Sequence, residues 1–311
     1  MNKYGPEGIL IKEYSNHEFI STRAGLERAL EGGVILESEA ILCDHGMNLH
    51  ISLGEGVRGI IPREEVEYNK NERAKDIAIL TRVGKPVCFK VRGFERAADG
   101  GTVAILSRKE AQRECTEAYI NGLRPGDIIP SRITHLESFG AFVDIGCGII
   151  SLLSIDSISI SRISHPSERV AVGELLYTVV KEIDDKGRIY VSERELLGSW
   201  LENASLFTEG ETVRGIIRSV ESYGVFVELK PNLAGLAEFR EDVFVGQTAA
   251  VYIKSIIPEK MKIKLIIIST HEPKDAPEPL EYFIDTDSVF HIDSWKYSPP
   301  DSRRTIETVF R

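Results

Sequence analysis

The stretch Gly126 to Ile145, GDIIPSRITHLESFGAFVDI, returns without a gap at Gly210 to Leu229 as GETVRGIIRSVESYGVFVEL. Self-similarity on this scale means that one small structural unit is used more than once, and it sets the architecture before any single residue is interpreted. The copies share Gly126 with Gly210, Ile133 with Ile217, Glu137-Ser138 with Glu221-Ser222, Gly140 with Gly224, Phe142 with Phe226 and Val143 with Val227. The residue before the shared glycine is aromatic in both, Phe139 and then Tyr223.

Alternation after that glycine reads as a half-buried strand, with successive side chains on opposite faces. Val225, Val227 and Leu229 then point one way and Phe226 and Glu228 the other; Ala141, Val143 and Ile145 likewise oppose Phe142 and Asp144. A ring on the solvated face of a strand either packs beneath a loop or offers a stacking platform to a flat ligand. Its presence in both copies favours the platform.

A weaker first copy runs from Gly33 to Ser107. VRGIIPREEV takes the place of the third strand, and RVGKPVCFKV at 82–91 matches AVGELLYTVV at 171–180 and FVGQTAAVYI at 244–253. The aromatic motif is missing from it: its turn reads CDHGMNLHISLG, with His45 and Leu49 near the places where rings are wanted, and Glu65 to Leu80 is an insertion. A barrel that has lost its ligand face suits a protein partner better.

Helices punctuate the copies. The segment from Ser21 to Gly33 reads as a short helix stopped by two glycines, with Ala24, Leu26, Ala29 and Leu30 docking on the next unit. Ser107 and Glu110 form one Ser-x-x-Glu capping box, for a helix reaching Gly122, and Ser192 and Glu195 form another, for a helix running toward Phe207. Residues 1 to about 20 carry no pattern.

The outward positions of the other strands are basic or aromatic. Arg132 on the opening strand of copy two has Arg214 and Arg218 as counterparts in copy three. Arg188 and Tyr190 occupy the closing strand of copy two, Lys262 and Lys264 that of copy three, and Lys254 the Val-Gly strand of copy three. A solvated strand face often carries Lys and Arg for solubility alone. Their conjunction with exposed rings raises them to candidate RNA-binding residues, together with Phe139, Phe142, Tyr223 and Phe226. The 151–173 interval of copy two is rich in Ser and carries Arg162, His165 and Arg169, a polar loop suited to phosphates. His165 has no Cys or triad partner and reads as a loop-structuring residue.

Composition narrows the class. The 311 residues are 42% hydrophobic and 28% charged, as in soluble globular proteins, and the longest apolar run, at 263–268 and broken by Lys264, is strand length. The first residues lack a signal peptide's hydrophobic segment, and Cys43, Cys88, Cys115 and Cys147 form no CxxC pair, so they read as reduced, cytosolic thiols without zinc. A net charge of −10 argues against a general polyanion binder, since phosphate affinity rests on cations displacing counterions. The charge is uneven, however: +1 over Gly210 to Ile268 and −4 over Gly126 to Trp200. No HExxH, GxSxG or P-loop pattern is present, so neither catalytic residues nor a cofactor or metal site are expected.

Five short strands, a Gly-opened first strand, an aromatic-Gly-x-Phe-Val turn and a Val-Gly fourth strand describe a small Greek-key barrel. The pattern resembles the RNA-binding repeat of the ribosomal protein S-one family, a form of the oligonucleotide-binding (OB) fold. ESFGAFVDIG, SIDSISISRISHP and VYIKSIIPEKMKIKL resemble the compact few-repeat members found in clostridia-like bacteria. The family often has a His on the third strand; Leu152 stands there in copy two, and Gly235-Leu236-Ala237-Glu238 in copy three has none.

The resemblance implies a mainly β chain of three tandem five-stranded Greek-key OB-fold barrels joined by short helices, with an N-terminal helix and a small C-terminal β appendix. The expected divisions are 1–32, an N-terminal segment; 33–107, a degenerate first barrel; 108–123, a linker helix; 124–192, the second barrel; 193–207, a linker helix; 208–270, the third barrel; and 271–311, a Pro- and acid-rich linker with the appendix. The implied partners are single-stranded RNA, mRNA above all, and the small ribosomal subunit, reached through the first repeat, in the cytoplasm. The rival expectation is a protein-interaction scaffold with a vestigial RNA face.

Overall fold

The computed structural model describes residues 3–54, 56–68, 75–97, 100–273 and 279–311. Parts of the expected insertion (69–74) and of the Pro- and acid-rich linker (274–278) therefore lie outside the described residues. The chain divides into two compact units, Met1–Leu123 with Asp144–Ile150, and Arg124–Val143 with Ser151–Arg311.

In the first unit, helices α1 (Tyr14–Ile20) and α2 (Arg23–Gly32) precede strands β1 (Leu36–Cys43), β2 (Leu49–Ile51) and β3 (Val57–Ile61). Helix α3 (Asp76–Leu80), strands β4 (Pro86–Arg96) and β5 (Thr102–Ser107) and helix α4 (Arg108–Ala118) follow. The strands close into a barrel ordered β1-β2-β3-β5-β4. Thr22 caps α2 by accepting from Gly25 N at 3.0 Å, and left-handed Gly33 ends the helix. Leu26 and Ala29 reach the barrel core, whereas Ala24 is exposed. Ser107 caps α4 as expected, accepting from Glu110 N at 2.9 Å.

The patternless first residues are an anchor. Buried Glu7 grips buried Arg108 in a bidentate pair, Nε–Oε1 2.6 Å and Nη2–Oε2 3.0 Å, and accepts from Cys88 N at 3.0 Å. Burial alone raises a carboxyl pKa, but Arg108 and Arg82 outweigh it and hold Glu7 below its ordinary value. Asp144 takes Glu7 N at 2.7 Å together with Gly146 N and Gly148 N. Its expected solvated position is thus corrected: the side chain is buried, because three backbone donors converge on it.

In the second unit, β6 (Ile128–Glu137), β7 (Gly140–Asp144), β8 (Ile150–Ser154), β9 (Leu175–Ile183) and β10 (Ile189–Ser192) close in the order β10-β8-β7-β6-β9. Helix α5 (Trp200–Ala204) leads to β11 (Thr212–Glu221), β12 (Gly224–Lys230), β13 (Leu233–Ala237), β14 (Thr248–Ile257) and β15 (Lys262–His271), closed as β11-β12-β13-β15-β14. Strands β16 (Ser294–Lys296) and β17 (Glu307–Val309) pair as a two-stranded sheet. Each of the three barrels is sealed by one parallel pair, β3 with β5, β8 with β10 and β13 with β15.

The expected helix from the Ser192 box is corrected. Ser192 is buried in β10, and its hydroxyl bonds Glu195 beside a 3-10 turn at Arg194–Leu196. The capping box lies seven residues on: Ser199 Oγ accepts from Glu202 N at 3.2 Å, and Glu202 Oε2 accepts from Ser199 N at 2.7 Å. Left-handed Gly198 separates the two turns. In the C-terminal segment, Trp295 and Tyr297 pack into the core of the third barrel while the Phe290 ring stays 66% exposed.

Candidate nucleic-acid interface

Strand β12 places Phe226 on its outer face, because Val225 and Val227 are wholly buried on the other. Register then builds a row around the barrel: Phe226 opposes Leu236 on β13, and Leu236 lies beside Lys264 on β15. Neighbouring strands stand about 4.8 Å apart, so an aromatic, an aliphatic and a cation share roughly 10 Å of surface. Tyr223, in the preceding turn, is 67% exposed and meets Phe226 edge-on at 6.1 Å and 88°.

The second barrel repeats the device. Phe139 is 53% exposed and Phe142 half-buried, meeting at 6.1 Å and 90°. Leu152 pairs with Tyr190 on the parallel β10, so an aromatic takes the place that Lys264 holds in the third barrel. None of the four rings is fully buried: Phe139 and Tyr223 are exposed, and Phe142 and Phe226 are half-buried. Gly140 and Gly224 make both turns possible, since a Cβ there lies only 2.4 Å from Leu153 O and 2.5 Å from Ala237 O respectively.

The expected cations divide. Lys254, Lys262 and Lys264 are exposed, and no described carboxylate pairs with them. Arg188 is exposed and braced by Asp184, Nε–Oδ2 2.7 Å, and Arg214 is exposed with a 3.5 Å contact to Thr248 Oγ1. Arg132 is half-buried and donates to Gly173 O at 2.6 Å. Arg218 is corrected: its guanidinium is 7% exposed, bonded to Glu228 at 2.9 and 3.1 Å and to Glu168. Glu228, expected on a solvated face, is also buried, because Arg169 from the β8–β9 loop lies across it. These three groups join the second barrel to the third.

One ring escaped sequence reasoning. His135 stacks on Phe142 at 6.4 Å and 20°, with Nε2 2.8 Å from Glu137 Oε1. Strict alternation along β6 turns His135 inward with Ile133. In the third barrel the ladder slips between Ile217 and Ser219, which swings Ser219 outward to face Phe226, and Ser219 is the counterpart of His135.

In the first barrel the corresponding row is His50, Ile60 and Ile105. His50 leans on Asp44 at 3.2 Å, and the adjacent Leu42 is 52% exposed. Leu49, expected near a ring position, is a core residue with no exposure. This face carries neither an aromatic platform nor a free cation among the described residues.

Repeated closed five-stranded barrels bearing paired rings on an outer face define a protein built on oligonucleotide-binding-type units. Residues 123–194, which hold the second barrel, match the S1 RNA binding domain. The chain is 28% identical over 232 residues to small ribosomal subunit protein bS1 of Staphylococcus saprophyticus, covering 69% of this chain and 57% of that one. It is 27% identical over 270 residues to bS1 of Staphylococcus aureus, covering 81% of this chain and 66% of the relative. The chain thus spans 57 to 66% of the length of these curated relatives. A crystal structure of a multidomain protein with nucleic acid binding domains from Streptococcus pneumoniae overlaps 76% of this chain and 73% of that one at 15% identity. Its TM-score of 0.26 is too low to bear on the fold. No helix among the described residues is long and apolar enough to cross a membrane.

Proposed function

We propose that this protein binds single-stranded RNA on its second and third barrels and does so without catalysing a reaction. Bases stack on Phe139, Phe142, Tyr223 and Phe226, with Tyr190 and His135 extending the second platform. Phosphates meet Arg188, Arg214, Lys254, Lys262 and Lys264. Arg132 is a minor contributor and Arg218 takes no part, its charge being spent on Glu228 and Glu168. The observation that carries the reading is the twin edge-on ring pair, the same in both barrels, with one ring of each pair exposed and the other half-buried.

All three barrels are taken as S1-type repeats, at 33–107, 124–192 and 208–270. The likeness to relatives named small ribosomal subunit protein supports the small subunit as the partner, with which mRNA as the ligand and the cytoplasm as the location are consistent. The row Leu42, His50, Ile60 and Ile105, apolar except for His50, favours a protein partner for the first barrel. Titration of a labelled oligouridylate at two salt concentrations tests the binding. Contact with Z phosphates of a single strand lowers log K against log salt with a slope of about −0.7Z. Changing Lys262 and Lys264 to Glu flattens that slope. An absence of binding at low salt contradicts the reading and leaves a scaffold of barrels.

A further inference from the structure

The β8–β9 loop, residues 155–170, starts at one platform and ends beside the other. At its start, Ile155 N donates to Phe139 O at 2.9 Å, directly behind the second-barrel rings. Further along, Ile160 N donates to Asn232 Oδ1 at 2.9 Å and Ser161 N to Pro231 O at 3.0 Å, both on the β12–β13 turn. At its end, Arg169 pairs with Glu228, two residues along the outer face of β12 from Phe226.

The loop has an inner and an outer side. Ser157, Ser159, Ser161 and Arg169 are buried and hold it in shape, with Arg169 Nε 3.3 Å from Ser159 Oγ. Arg162, Ser164 and Ser167 are exposed, and Arg162 has no ion-pair partner among the described residues. His165 accepts from Ser167 N at 3.2 Å and caps the turn beneath them.

The C-terminal segment bonds to both barrels. Tyr282 OH accepts from Tyr177 N at 3.0 Å and donates to Glu193 Oε1 at 3.0 Å; Ile292 N donates to Gly126 O at 2.9 Å, all on the second barrel's side. In the same segment Tyr297 OH donates to Asn232 O at 2.6 Å on the third barrel. Asn232 also donates to Arg194 O and Gly198 O, at 2.8 and 2.9 Å, in the connection between the barrels.

We propose that barrels two and three form one continuous track for a single RNA strand, in which the outer rim of this loop, led by Arg162, carries the backbone from the Phe139/Phe142 platform to the Tyr223/Phe226 platform. The inference rests on the RNA reading above and specifies its ligand: a strand long enough to occupy both barrels at once. Two sites at fixed spacing convert the second contact into an intramolecular one, which raises affinity without new contacts.

The test measures the 311-residue chain by fluorescence anisotropy with oligouridylates of about 4 and about 16 nucleotides, bracketing the site size of one OB fold. The longer strand binds tighter by on the order of 100-fold. Arg162→Ala lowers the magnitude of the longer strand's salt slope by about 0.7 and leaves the shorter strand's unchanged. Equal affinity for both lengths, or an equal effect of Arg162→Ala on both, overturns the track while leaving stacking on single barrels intact. Failure of both strands to bind overturns the RNA reading itself and the track with it.

Discussion

Tyr223 meets Phe226 edge-on with ring centroids 6.1 Å apart and planes at 88°, and Phe139 meets Phe142 at the same 6.1 Å and 90°. An edge-on contact does not cover both faces of either ring, and Tyr223 and Phe139 are the exposed members on which a base can stack, while His135 stacks on Phe142.

Tyr223→Ala removes a ring that is 67% exposed and belongs to no core. The expected result is a loss of about 1 to 3 kcal/mol in oligonucleotide binding, with the thermal midpoint nearly unchanged because exposed substitutions usually shift stability by less than about 0.5 kcal/mol. Anisotropy and differential scanning fluorimetry on the same preparation check both halves. A falling midpoint with intact affinity makes Tyr223 a packing residue.

Gly224→Ala sets a Cβ 2.5 Å from Ala237 O and 2.9 Å from Leu236 Cδ1, at a φ of 154°. The overpacking costs about 1 to 3 kcal/mol, read as a lowered urea midpoint. Gly122→Ala is the control, since nothing lies within 4 Å of its added Cβ. Equal stability of the two variants contradicts this account of the turn.

Glu228→Ala leaves Arg169 and Arg218, 4% and 7% exposed, facing each other without their shared carboxylate. Breaking a buried pair by removing one partner costs about 3 to 5 kcal/mol. Chemical denaturation measures this loss; a cost below about 1 kcal/mol shows the pair to be solvated.

Burial pushes the Glu193 carboxyl up to about 8, and it is held by Tyr282 OH. A carboxyl whose folded pKa lies above its unfolded value binds its proton more tightly when folded. Its contribution is therefore complete below the ordinary 4.5 and is lost as pH rises toward 8. Glu37, pushed up to about 8 by burial, acts in the same direction. Melting midpoints are expected to fall between pH 5 and 8. Glu193→Gln keeps an acceptor for Tyr282 and reduces that fall; an unaltered profile in the variant means that the group ionises freely.

The barrels were legible because the repeat fixes strand spacing and alternation fixes faces: Val225, Val227, Ala141 and Val143 are buried where the period puts them. What alternation does not carry is how an outer face is covered. Glu228 and Asp144 have solvent-facing parity and are nonetheless buried, by Arg169 from a distant loop and by the backbone of Glu7. His135 was missed because strict alternation puts it with Ile133; at the matching place in the third barrel the ladder slips between Ile217 and Ser219, an effect of pairing that the strand's own residues do not announce. The residue pattern SxxE occurs at both Ser192 and Ser199, and only tertiary burial of Ser192 in β10 selects the second as the cap.

Photo-crosslinking tests the central claim most directly. The 311-residue chain is irradiated with a 4-thiouridine-substituted single strand and the adducts are located by mass spectrometry. Adducts are expected on the peptides that carry Phe139 with Phe142 and Tyr223 with Phe226. Adducts confined to the first barrel, or none at a strand concentration that saturates binding, contradict it.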